Sequence, residues 1–509
     1  MDVPSIILPS RFSRRTFLKT AGAVASAATL GSSLGACGSP SSSGGSGSTV
    51  TIQHWDYYVS QSPWLDNEVK LFEAAHPNIK VKRTINSTTT YDQLFNLAVK
   101  ATKQPDVFMV TGTATPYNVQ MQKSWWLPVD KWINAEWKNR FPTGTFYQGN
   151  NMFDGKTYTA PLAGSGVFQM LYMNTDVFKA AGLTNSDGTP KVPQTWDDVT
   201  KFADIITKKG NGQYYGLGFG AGGGGSVTNW VDLFIRAAGV PGGAFGGTGG
   251  TWYDGFDYRV GKYTFSSDRN WEDFISLFLE WKQKGYFYPN SMSITDETAR
   301  AYFERGKFGM IVGGVWNQPE WTTHGFTNYS LTTLVGPTTT RKGFYYHTPG
   351  GQEFAISGQT KHPEEAWQWF NWLYSDAAEQ RWVQTYNEDL SIFANLNDPS
   401  KIKFKPFAEY VSYAPLNLTY PNPNVRNPDT SKVIFNSLSP NLNDAIVGLW
   451  TGQLHDIKSA LSDLENRANS AIQKAISQAQ TSGAKVSIKD YTYPDWDITK
   501  NYITKPNQG

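Results

Sequence analysis

The sequence predicts an α/β protein with mostly parallel sheets flanked by helices, and three observations carry that expectation. Residues 50–110 run strand, helix, strand, helix, strand, the order of βαβ units. Hydrophobic residues make up 39% and charged residues 17% of the 509, which supplies a sizeable core and is no disordered composition. Amphipathic helical periods then recur to the C-terminal end.

Taken in order, Val50 to His54 reads as a strand. Pro63 to Ala75 reads as a helix with Leu65, Val69 and Phe72 on one face. Ile79, Val81 and Ile85 mark a second strand, and Tyr91, Leu94, Phe95, Ala98 and Ala101 line a second helix. Asp106 to Val110 is short and apolar, as a buried strand is. Pro193-Gln194-Thr195-Trp196-Asp197-Asp198 opens another helix, with Thr195 as N-cap and Asp198 closing a capping box. Its apolar face is Trp196, Val199, Phe202, Ala203 and Ile206. Further helices pass through Phe274–Leu279 and Ala366–Leu373. From Ile457 to Ala479 a long i, i+3, i+4 stripe is expected to pack as core rather than dock a partner. Residues 222–225 and 239–250 are Gly-rich loops.

The N-terminal segment is expected to lie outside the fold. Arg14-Arg15-Thr16-Phe17-Leu18-Lys19 followed by the apolar run Thr20–Leu34 reads as a secretory signal of twin-arginine type over residues 1–36. Leu34-Gly35-Ala36-Cys37 resembles a bacterial lipobox, with Cys37 as the lipidated residue. Residues 37–48 are nearly all Gly and Ser and read as a tether. The expected location is the outer face of a bacterial cytoplasmic membrane, held there by lipid alone.

Charge and motifs exclude several functions. Arg11, Arg14, Arg15 and Lys19 against Asp2 put three net positive charges in the first 36 residues, so a formal net of +2 leaves the remainder one negative charge. A nucleic-acid binder would carry a basic face. One cysteine excludes a disulfide framework and a multi-thiolate metal site. The six histidines show no metal-ligand spacing, and no Gly-x-Ser-x-Gly elbow occurs. Gly218 to Gly223 fits Gly-x-Gly-x-x-Gly by composition only, with no acidic residue about 20 positions on. No cofactor and no metal are expected. Aromatic residues, by contrast, reach 15%, with 19 Trp.

Five stretches carry a resemblance. They are Phe72-Glu73-Ala74-Ala75-His76-Pro77-Asn78-Ile79-Lys80-Val81, Pro105-Asp106-Val107-Phe108, Asp154-Gly155-Lys156-Thr157-Tyr158-Thr159-Ala160-Pro161, Leu171 to Leu183 with Pro193-Gln194-Thr195-Trp196, and Phe303 to Met310 running into Gly313-Gly314-Val315-Trp316. In this order, over nearly all of Thr49 to Gly509, they resemble the extracellular solute-binding proteins of ABC importers, of the maltose- and oligosaccharide-binding type. The resemblance implies a two-lobed, periplasmic-binding-protein-like fold joined by a crossing-strand hinge. Lobe one would be 49–161 plus 337–400, and lobe two 162–336 plus 401–509. It also implies a non-catalytic, monomeric receptor that closes on a sugar and hands it to transmembrane permease subunits.

Sugars offer apolar faces ringed by hydroxyls, so their sites want flat aromatics with a few acceptors and donors. At the loops that face the cleft in that family stand Trp55, Asp56 and Tyr57; Thr111, Gly112 and Thr113; Gly164 and Ser165; Trp230; Trp316 and Asn317; and Gly350, Gly351, Gln352 and Glu353. Trp64 and Trp252 are weaker candidates. Each Trp has core packing as its alternative, and Asp56 and Glu353 that of a surface or capping carboxylate. Two other functions stay open: a receptor for a polyol, polyol-phosphate or peptide, and a secreted carbohydrate-active hydrolase, which would need two carboxyls flanking one bond.

Overall fold

A computed structural model describes residues 49–506 apart from 88–89, 112–114, 116, 165–168, 223–225, 242–254, 348 and 436–437. The signal, Cys37, the tether, Gly112, Thr113, Ser165, Trp252 and most of both Gly-rich loops lie outside the described residues.

Strict alternation makes the first strand, Val50–Asp56, with Ile52, His54 and Asp56 on its buried face. It pairs in parallel with Ile79–Ile85 on one side and Val107–Met109 on the other. Phe354–Ile356 and Thr159–Ala160 complete a five-stranded sheet, both joined antiparallel. Helices Ser62–Ala75 and Tyr91–Lys100 turn Trp64, Leu65, Phe72, Tyr91 and Phe95 into this core. Trp64 is therefore core.

A second sheet has the order Tyr329–Thr332, Met170–Asn174, Phe308–Gly313, Tyr215–Leu217. Only its last pairing is parallel. The two sheets are the centres of the two lobes. They are partly parallel where the sequence predicts mostly parallel ones, because residue patterning sets which face is buried and not strand direction.

Helix Trp196–Gly210 begins with the expected capping box. Thr195 Oγ1 accepts from Asp198 N at 3.2 Å, and Asp198 Oδ2 accepts from Thr195 N at 3.1 Å. Helix Ile457–Thr481 buries Leu461, Leu464, Ala468, Ile472 and Ala479, so its stripe is core, laid against helices Arg269–Gln283 and Leu442–Thr451.

Two chain segments cross side by side between the sheets. Gly164 N donates to Leu390 O at 2.7 Å and Ile392 N to Leu162 O at 3.2 Å. A Cβ on Gly164 would lie 2.4 Å from Ser391 O, so only glycine permits this approach. No described helix is long and apolar enough to cross a membrane.

Candidate functional site

The first strand ends two residues later than its apolar pattern suggests, and this decides what Asp56 does. Asp56 follows Ile52 and His54 on the inward face and is fully buried. Arg83 grips it with Nε to Oδ2 at 2.7 Å and Nη2 to Oδ1 at 2.8 Å. Trp369 Nε1 donates to His54 Nδ1 at 3.0 Å, so the imidazole Nε2, 3.4 Å from Asp56 Oδ2, carries its hydrogen toward the carboxylate. Burial pushes the Asp56 carboxyl up, but Arg83 and His54 outweigh it and hold it below the ordinary value. Asp56 is thus a buried structural anchor and not a free acceptor for a ligand. Its Oδ1 accepts from Tyr58 N at 2.8 Å, and Arg83 Nη2 donates to Tyr58 O at 2.8 Å. The pair fixes the backbone that presents Tyr57 and Tyr58.

Both tyrosines are half-buried. Tyr57 meets the Tyr91 ring edge-on at 5.2 Å, and Tyr58 donates its hydroxyl to Glu353 Oε1. Burial, with the Asp389 charge adding to it, pushes the Glu353 carboxyl up to about 7 despite that bond. Asp389 is likewise pushed up to about 7 by burial, against the Tyr410 hydroxyl and the Leu390 amide that bond it.

On the second lobe, Phe308–Gly313 leads through Gly314 to Trp316 and helix Asn317–Thr323. The six-membered ring of Trp316 covers Gly314, where a Cβ would lie 2.2 Å from it. Trp316 itself is partly buried. Asn317 is 1% exposed, its amide tucked over Gly313, and so it offers nothing to the cleft. Trp230 is also no cleft residue. It sits fully buried in helix Ser226–Ala237, stacked on Phe234 at 5.9 Å and edge-on to Phe287 at 5.6 Å. The helical period that starts at Ser226 turns it into the aromatic core of lobe two.

A cleft of about 810 Å³ lies where these loops meet. Tyr57, Tyr58 and Ser62 line it from lobe one, and Glu297, Arg300, Trp316, Glu320 and His324 from lobe two. Of the residues expected from sequence, it brings together Tyr57 and Trp316, with Glu353 bonded behind Tyr58. Trp55 is half-buried against the lobe-one core and is not among the lining residues. Thr111 spends its hydroxyl on Asp92 and Gln352 its amide on Asn150 O, while Gly351 lies against Pro161 at the start of the crossover.

Sequence reasoning missed Tyr58, Glu297, Arg300, Glu320, His324 and Asp389. Tyr58 adjoins a residue it singled out, and Glu320 in helix Asn317–Thr323 and His324 at its C-cap stand four apart, a readable signal. Asp389 carries no such mark.

Arg300 holds Glu320 Oε2 at 2.9 Å and also pairs with Asp296. Glu304, Glu320 and His324 bring ligand atoms within 4.8 Å of one another, the group among the described residues best suited to a metal. His324 Nδ1 is already 2.9 Å from Glu304, and the Arg300 guanidinium balances Glu320, so the members of the cluster already have partners within it and beside it.

A family model described as bacterial extracellular solute-binding protein matches residues 58–380. Maltodextrin-binding protein MdxE of Bacillus subtilis is 24% identical over 246 residues, 46% of this chain and 50% of that protein. Multiple sugar-binding protein of Streptococcus mutans is 27% identical over 177 residues, 35% of this chain and 38% of that protein. The matched part thus spans half or less of these relatives. Among solved structures, a MalE maltose/maltodextrin-binding domain of Bdellovibrio bacteriovorus bound to maltotriose aligns at TM-score 0.58 and 16% identity, covering 85% of this chain and all of that one. A solute-binding protein of Thermotoga lettingae bound to α-D-tagatose aligns at 0.56 and 18% identity, covering 83% and 100%.

Proposed function

The chain belongs to the bacterial extracellular solute-binding proteins, and from that premise we propose that it is a sugar receptor of an ABC importer. It takes a di- or oligosaccharide between two closing lobes and delivers it to the permease. One observation carries this reading: half-buried aromatic rings from both lobes, Tyr57 and Tyr58 against Trp316, line one cleft together with charged hydrogen-bonding groups. Rings suit the apolar faces of a pyranose, and the cleft-lining Glu297 and Glu320 suit its hydroxyls. The relatives named for maltodextrin and multiple sugars support the ligand class.

Lobe one is drawn from 49–161 with the return segment, and lobe two from 162–336 with the C-terminal part. The return segment is drawn as 337–400, and its strand Tyr345–His347 pairs with Asn417–Thr419 of the part drawn as lobe two. Export by the twin-arginine route and a lipid on Cys37 complete the proposal. Replacing Cys37 by Ala is expected to release the protein from membranes with its melting temperature unchanged; a variant that still sediments with membranes overturns the anchor.

Isothermal titration against maltodextrins, raffinose-type sugars, polyols and peptides tests the ligand class. Saturable binding of a sugar without its cleavage is the expected result. Cleavage would make the protein a hydrolase, and binding of a peptide or polyol alone would replace the sugar.

A further inference from the structure

Ion pairs lace together the two helices that wall the cleft from lobe two. Helix Asp296–Glu304 turns Glu297 and Arg300, three residues apart, to the cleft. Arg300 Nε donates to Glu320 Oε2 of helix Asn317–Thr323 at 2.9 Å, and Arg300 also pairs with Asp296. Further along, Glu304 Oε1 lies 2.9 Å from Nδ1 of His324, the C-cap of the second helix.

The charge left over on this wall is negative. Arg300 is the one Arg or Lys among the described lining residues, its side chain is 8% exposed, and both of its partners are carboxylates. It therefore has little positive charge to offer a ligand. Glu297, by contrast, is exposed, and no ion pair among the described residues takes its carboxylate. Its own backbone amide, helped by Thr295 and Arg300 against burial, holds the carboxyl below its ordinary value, so it is an anion in neutral solution. Asp296, Glu297, Glu304 and Glu320 are four carboxylates against two cations, Arg300 and His324, even with the imidazole counted as protonated.

Lobe one brings no charge to offset this. Its residues along the cleft, Tyr57 to Pro63 and Ser87, are all uncharged, and Arg83 behind Tyr58 is spent on Asp56 and Asp66. The faces of Tyr57, Tyr58 and Trp316 are electron-rich and attract cations rather than anions. We propose that the cleft selects its sugar by charge: it takes neutral and aminated saccharides and rejects those bearing a carboxylate or phosphate, with Glu297 as the discriminating residue. An acidic sugar would bring its charge against Glu297 and the ring faces in a space that closure takes out of water, where like charges repel more strongly. An ammonium there would be paired by a carboxylate instead. The selection rests on the sugar-receptor reading for its ligand, but the negative potential of the wall does not.

Two experiments test it. In the first, the full chain is titrated at pH 7 with maltotriose, with maltotriose carrying an amine in place of a terminal primary hydroxyl, and with maltotriose oxidised there to the carboxylate. The carboxylate form is expected to bind about tenfold more weakly than the neutral sugar and the amine at least as well, with the gap narrowing in about 0.5 M salt and in Glu297→Gln. A carboxylate form that binds as tightly as maltotriose overturns the proposal. The second experiment needs no sugar. Quenching of Trp316 fluorescence, read as the difference between the parent and Trp316→Phe, is followed with iodide, caesium and neutral acrylamide. Glu297→Gln is expected to raise quenching by iodide and lower quenching by caesium, about twofold each, with acrylamide unchanged. If none of the three sugars binds, the sugar reading suffers and the quenching decides alone: iodide and caesium responses that are the same in the parent and in Glu297→Gln overturn the selection.

Discussion

The ends of two strands, Val50–Asp56 in lobe one and Phe308–Gly313 in lobe two, do the same job by different means. At the first, a buried ion pair fixes the backbone and two tyrosines are presented from it. At the second, two glycines clear space, Gly313 for the Asn317 amide and Gly314 for the tryptophan ring that folds back over it. The rim of lobe one is held by charge, that of lobe two by packing. A residue's place in the primary sequence near such a turn does not tell which role it has: Asp56 and Asn317 are scaffold, Tyr57 and Trp316 surface.

Removing the charge anchor should have the largest effect. Asp56→Ala takes from Arg83 its buried partner, leaving it only the exposed Asp66 and the Tyr58 carbonyl, and is expected to cost about 3–5 kcal/mol of stability in urea unfolding. A loss below about 1 kcal/mol would mean that the pair is solvated and that lobe one is not built on charge.

Core and rim tryptophans sharpen the contrast. Trp230→Ala opens a cavity in the aromatic core and should cost about 3–5 kcal/mol of stability, with sugar affinity unchanged in the folded fraction. Trp316→Ala should do the reverse, weakening sugar binding by about 2–4 kcal/mol with little change in melting temperature. If the two variants behave alike, the division between scaffold and surface fails.

The smallest effect is one of pH on stability. Glu353 and Asp389 have ordinary values of 4.5 and 3.8 and are raised to about 7 when folded. The folded state then binds their protons more tightly, so their contribution is full below about pH 4 and is lost as pH rises to about 7. Glu353→Gln should flatten that decline in melting temperature. An unchanged profile would mean that the carboxyl is hydrated.

Much of the architecture was legible because it is written in periodicity. The first strands and helices, the Thr195–Asp198 capping box and the stripe from Ile457 to Ala479 depend on which side chains face inward, and alternation or a 3.6-residue period states that directly. Strand direction in the second sheet was not legible, because parallel and antiparallel strands bury the same alternating residues. The site was legible only in part. Tyr57, Trp316 and Glu353 adjoin strand ends, which sequence can locate. Arg300 and His324 enter the cleft from helices, and Asp389 from an irregular segment, through packing between residues far apart in the chain. Asp56 misled for a simple reason: period 2 carried past His54 already puts it inside.

The most direct test of the two-lobe receptor is small-angle scattering of the full chain with and without its tightest-binding sugar. Rings from both lobes can clasp one ligand only when the lobes approach, so the account predicts a smaller radius of gyration on saturation, lost in Trp316→Ala at the same sugar concentration. Saturable binding with an unchanged radius of gyration would contradict it.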